Sequence, residues 1–126
     1  MSAKPIKFPG ADHPIGIAPA GERVTVRAAG RTIADTRDAL VLREAHYGPV
    51  LYVPRRDVDM AQLQRSSHQS YCPYKGDCSY YSIPASGERG TNAVWSYEQP
   101  HPAVAQIREY LAFYPERVDA IESASA

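Results

Sequence analysis

The stretch ERVTVRAAGRTIADT, Glu22 to Thr36, alternates apolar and polar side chains through a turn and back again. Val24 and Val26 fall on one face and Thr25 and Arg27 on the other, the period-two pattern of a half-buried strand. Ala29-Gly30 supplies the turn and Thr32 to Thr36 returns, which predicts a β-hairpin. Working outward, ALVLREA (residues 39–45) and VLYVP (50–54) predict two more strands, the second closed by Pro54. CSYYSI (78–83) and TNAVWSY (91–97) predict another two, joined by the polar loop ASGERG. Strands linked by turns this short pair antiparallel, because parallel pairing needs long crossovers.

The remaining segments are shorter and less regular. Residues 1–21 carry Pro5, Pro9, Gly10, Pro14, Gly16, Pro19 and Gly21, which predicts an extended arm laid across the domain through Ile15 and Ile17. DVDMAQLQRS, from Asp57, predicts a short helix with Asp57 as N-cap, Asp59 in the first turn, and Met60 and Leu63 on one face. A second helix is expected after Pro102, with Val104, Ile107, Leu111 and Tyr114 at helical spacing and Pro115 ending it. Residues 22–120 then form a single β-rich domain, and the tail 121–126 is expected to fray. The fold class expected is mainly β: antiparallel sheets with one or two short α-helices.

Composition narrows the function classes. A chain of 126 residues suits one core and one domain. Fourteen Lys and Arg balance fourteen Asp and Glu, which removes the electrostatic case for nucleic acid. No apolar run approaches the roughly 20 residues that span a bilayer, so no membrane is expected, and MSAKPIKFPG does not read as a secretory leader. Two cysteines make no disulfide framework, and a reducing cytoplasm is the default setting. Seven of nine tyrosines lie between Tyr47 and Tyr97, where half-buried strands and pocket walls use a ring with a polar tip.

SYCPYKGDCSYY, Ser70 to Tyr81, concentrates the chemistry: two thiols, a lysine and four tyrosines around a Pro/Gly turn. Cys72 and Cys78 are too widely spaced for a zinc knuckle and have no second cysteine pair, so no metal is expected. Cys72 has two readings. A neighbouring Lys75 would stabilise its thiolate, or it is a small apolar residue at a strand end. Lys75-Gly76 with Arg55-Arg56 suggests an anion site, against the plainer reading of a solvated lysine on a turn. No phosphate-binding or dinucleotide motif occurs, and no cofactor is implied. Helix capping explains Asp57 and the helix dipole explains Asp59, rather than metal-assisted nucleotidyl transfer.

Alternation puts Leu40, Leu42 and Glu44 on one face of their strand. If the leucines face inward so does Glu44, and it must be paired, most simply with Lys75 or an arginine, or stay protonated. The candidate site is therefore a pocket with Glu44, Cys72 and Lys75 as the chemical groups and Tyr52, Arg55, Ser70, Tyr80, Trp95 and Tyr97 around a ligand. Lys75 would anchor an anionic or carbonyl group of an unidentified small molecule. Glu44 would be its partner or a general base. The alternative is a non-catalytic module for protein interaction or homodimerisation, so the chain is expected as a monomer or a homodimer.

Ordered motifs from His13-Pro14-Ile15 through GRTIADTRDAL, Glu44, YVPRRDV, SYCPYKGDCSY and WSYEQP to AFY resemble the DUF427 family of small bacterial and fungal proteins. The resemblance covers roughly residues 13–118. It implies an antiparallel architecture similar to the Mss4-like or β-tent group. It implies little about activity, because the family's function is not established, although relatives have carried a nucleotidyltransferase-like label. Many relatives have a small residue in place of Cys78, which speaks against a paired role for the two thiols.

Overall fold

A computed structural model describes residues 4–125 as ten strands in three antiparallel sheets. The hairpin that opens the sequence forms as β2 (Glu22–Ala28) and β3 (Arg31–Thr36), after the short strand β1 (Ile15–Pro19). Val24 and Val26 are buried completely while Arg23 and Arg27 face solvent, and Gly30 turns the chain with a positive φ of 73°. The chain continues as β4 (Leu40–Glu44), β5 (Val50–Tyr52), β6 (Gln64–Cys72), β7 (Gly76–Ser82), β8 (Val94–Pro100), β9 (Ala112–Phe113) and β10 (Ala120–Ser125). The sheet orders are β1-β4-β5, β10-β2-β3 and β6-β7-β8-β9. No helix among the described residues is long and apolar enough to cross a membrane.

Two apolar clusters divide the interior. One joins Val26, Ile33, Val53, Tyr81, Ile83, Val94, Leu111 and Phe113. The other joins Leu42, Tyr52, Cys78, Tyr97, Val104, Ile107 and Ala112, with Ile15 and Ile17 packed against it. Neighbours in sequence, such as Val94 and Trp95 or Phe113 and Ala112, go to opposite clusters, because successive strand residues point to opposite faces. The four-stranded sheet is thus covered on both faces.

The helical segments are tighter and shorter than the α-helices expected. After Pro54 there are only single 3-10 turns, Arg55–Asp57 and Met60–Gln62. Val58 between them bridges Ala34, and the Asp59 amide donates to the Ile33 carbonyl at 2.7 Å, so β3 holds this segment extended. Asp57 caps nothing. Its carboxylate accepts the Thr36 hydroxyl at 2.7 Å. After His101 the chain makes a 3-10 stretch, Pro102–Ile107, broken at Val104 and burying Val104 and Ile107. Leu111 is then drawn into paired backbone hydrogen bonds with Val53, both 2.8 Å, which ends any helical continuation.

Residues 121–125 of the tail expected to fray belong instead to strand β10, in register with β2 from Ala120 opposite Arg27 to Ser125 opposite Glu22, and Ala126 lies outside the described residues. The outer edge of β2 has backbone donors and acceptors to satisfy, and Ile121 reaches the first cluster. Those two gains hold a segment that has little apolar content of its own.

Gly90 lies where the loop before β8 folds against Ile83, whose amide donates to its carbonyl at 2.9 Å. A Cβ there would stand 2.2 Å from the Ile83 carbonyl oxygen. Gly90→Ala is expected to cost about 2 kcal/mol, read as a lower chemical-denaturation midpoint. Gly16→Ala, where an added Cβ meets nothing within 4 Å, should leave the midpoint unchanged or slightly raised.

Candidate functional site

Glu44 ends β4 opposite Ile15 of β1, and its side chain is 13% exposed. Lys75 sits in the turn between β6 and β7, where its amide donates to the Cys72 carbonyl. Gly76 follows with a φ of 109°, and a Cβ there would press on the His101 amide at 3.3 Å. This positive-φ step starts β7, while the Lys75 side chain, 11% exposed, forms an ion pair with Glu44 Oε1. The other carboxylate oxygen meets His13 Nε2 at 2.8 Å. His13 is itself stacked flat on Tyr74, ring centroids 3.8 Å apart. Burial pushes the Glu44 carboxyl up, but the hydrogen bonds from Lys75 and His13 outweigh it and hold the group below its ordinary range.

Above this pair lies a hollow of about 210 Å³. Glu44, Tyr52, Lys75, Tyr80, Trp95 and Tyr97 all line it. Trp95 Nε1 donates to Tyr52 Oη at 3.3 Å, and the two rings meet edge to face. Burial pushes the Tyr52 and Tyr97 hydroxyls well above their usual range and Tyr80 to about 12, so all three stay protonated and neutral at physiological pH. Lys75 Nζ stands 5.8 Å from the Tyr97 ring centroid. The hollow thus combines one compensated ion pair with aromatic walls that carry hydroxyl tips.

Three residues expected in the site fall outside its lining. Cys72 pairs with Gly76 in the hairpin and packs, half-buried, against the second apolar cluster. Ser70 reaches the hollow only indirectly, through a 2.9 Å hydrogen bond between its hydroxyl and Tyr80 Oη. Arg55 belongs with the other cluster's side of the central sheet. It donates to Tyr81 Oη at 3.1 Å, Ser96 Oγ at 3.2 Å and Glu98 Oε2 at 3.1 Å. Arg65 meets Glu98 Oε1 at 2.7 Å, and the two guanidiniums each lie 5.6 Å from the Tyr81 ring. This network directs the Arg55 guanidinium at Glu98 and away from the lining of the hollow at Lys75. The other thiol, Cys78, is 2% exposed, and burial pushes it up, away from the reactive thiolate.

His13, Tyr47 and Tyr114 were not legible as site residues. Tyr47 and Tyr114 line the hollow, and His13 supports Glu44 from behind. The signal for His13 is the register that sets Ile15 opposite Glu44, and pairing between an arm and a strand 30 residues on is invisible to local periodicity. His68 is tilted over the Tyr80 ring, centroids 4.5 Å apart. Among the described residues no three His, Cys, Asp or Glu side chains stand together in a metal-binding group.

A small antiparallel β protein with a tyrosine-walled hollow over a buried ion pair is the class that this geometry defines. Residues 16–124 match the family model described as "Domain of unknown function (DUF427)", and the chain belongs to that family. No curated protein matches the chain.

The Glu98 network has a direct pH consequence. Burial pushes Glu98 up, yet hydrogen bonds from Arg65, Tyr81 and Ser79 dominate and hold it at about 2, below its ordinary 4.5. A depressed carboxyl stabilises the fold above the unfolded value and loses that contribution as pH falls through the folded one. Glu98→Gln should therefore lower stability at neutral pH and flatten the wild-type decline between pH 4.5 and about 2, measured by denaturation across that range.

Proposed function

We propose that the hollow binds a small neutral carbonyl compound, with Lys75 donating to the carbonyl oxygen and Glu44 accepting from a neighbouring donor on the same molecule. The observation that carries this reading is the compensated Glu44–Lys75 pair at the base of an aromatic hollow. Glu44 already neutralises Lys75, so a second anion would meet no net positive charge and would sit beside a carboxylate. A neutral head with one acceptor and one donor, such as an amide, can use both partners without that repulsion. The protonated hydroxyls of Tyr80 and Tyr97 favour the same choice, since they offer hydrogen bonds without charge.

Binding is better supported than turnover. A general base works best with its proton affinity near operating pH, and Glu44 is held below its ordinary carboxylate range. Thiol chemistry has little support either, with Cys72 beside the hollow and Cys78 buried. Both cysteines are free thiols, which suits a reducing cytoplasm. The rival reading, an interaction or homodimerisation module, draws on exposed Phe8 and Ile6 in the arm. Against it, Tyr52 and Tyr97 turn inward instead of forming a flat exposed patch.

Trp95 is the single tryptophan of the chain and lines the hollow, so its emission reports occupancy. Acetamide and small cyclic amides at millimolar concentration should shift that emission and raise the melting temperature, whereas acetate should do neither. In Glu44→Gln/Lys75→Met, which replaces both partners together, the fold should persist and the amide response vanish. A response to acetate alone would show an uncompensated cation and sink the neutral-carbonyl reading.

A further inference from the structure

A second cavity, of about 320 Å³, opens at the seam where the three sheets meet. Its wall takes Val24 from β2, Leu51 from β5, Phe113 from β9 and Ile121 from β10, and no charged side chain lines it. Val50 and Trp95 line this groove and the hollow alike, so the two spaces adjoin at these side chains. The indole N–H of Trp95 donates to Tyr52, which lines the hollow and not the groove. The groove therefore has no side-chain hydrogen-bond donor of its own. The polar hollow and the apolar groove meet at Val50 and Trp95.

We infer that the ligand is amphipathic: a neutral carbonyl head at Glu44 and Lys75, and an unbranched hydrocarbon tail that passes Val50 and Trp95 into the groove. The inference rests on the proposed carbonyl site and adds the class of molecule that the site takes. Size supports it. An apolar cavity of roughly 150 Å³ holds benzene, so a groove about twice as large accommodates a tail of about six to eight carbons with space to turn. A purely polar ligand would leave the groove empty, and a pure hydrocarbon would leave the ion pair and the tyrosine hydroxyls without a partner.

The test is a homologous series of primary amides, from acetamide through butanamide, hexanamide and octanamide to decanamide, titrated against the full chain by Trp95 fluorescence and calorimetry. The dissociation constant should fall about fourfold for each added methylene, then level off near eight carbons. Leu51→Phe, a half-exposed strand position on the groove wall, should abolish the gain with chain length and leave acetamide binding unchanged. Should that variant fail to fold, Ile121→Phe on the edge strand β10 serves the same purpose. A flat series with acetamide binding intact would overturn the tail and leave the carbonyl site standing. A gain with length that survives Glu44→Gln/Lys75→Met would show a groove that works without the head, and overturns the joined site. No binding at any length would remove the carbonyl site and the tail together.

Discussion

The central sheet buries side chains on both faces, and the rest of the architecture follows from having to cover them. Tyr81 and Val94 point into one apolar cluster, while Cys78 and Tyr97 point into the other. One covering sheet is β10-β2-β3, which supplies Val26 and Ile33 to the first cluster. The other, β1-β4-β5, supplies Leu42 and Tyr52 to the second. Twisted sheets do not meet flush along their edges. The seams between them are where the groove and the hollow lie.

Electrostatics follows the same division. On one side of the central sheet Glu98 gathers Arg55, Arg65 and Tyr81 into a network whose donors are largely used up. On the other, Glu44 is held by Lys75 and His13, and the lysine keeps donors free beside a hollow. Removing one partner from such a half-buried pair leaves the other uncompensated, so each pair is a structural tie as well as a chemical group. The Glu44 pair ties the arm, β4 and the β6–β7 turn together. Lys75 is consequently more than a solvated lysine on a turn.

Legibility varied with how much each segment carries its own signal. The hairpin from Glu22 to Thr36 was plain, because alternation and an Ala-Gly turn act locally. β6, QRSSHQSYC, was not: it is polar on both faces and held by its partner β7, so periodicity had nothing to register. β10 was hidden for the same reason. The helices after Asp57 and Pro102 had good spacing and caps, yet backbone pairing of Val58 with Ala34 and Leu111 with Val53 overrode propensity. For the site, inward alternation on β4 pointed to Glu44, and the aromatic strand residues pointed to the walls. Arg55 misled because its charge was visible in sequence and its partner Glu98 was not.

What the chain alone determined is the β character of the domain, the inward acid on β4 and the aromatic content of β7 and β8, since each depends on neighbours a few residues apart. Tertiary structure decided the rest: that Lys75 meets Glu44 from 31 residues away, that His13 completes the pair, and that an apolar seam opens beside it. Those outcomes depend on which sheet edges pair and how the sheets stack, and such long-range register leaves no local trace in the order of residues.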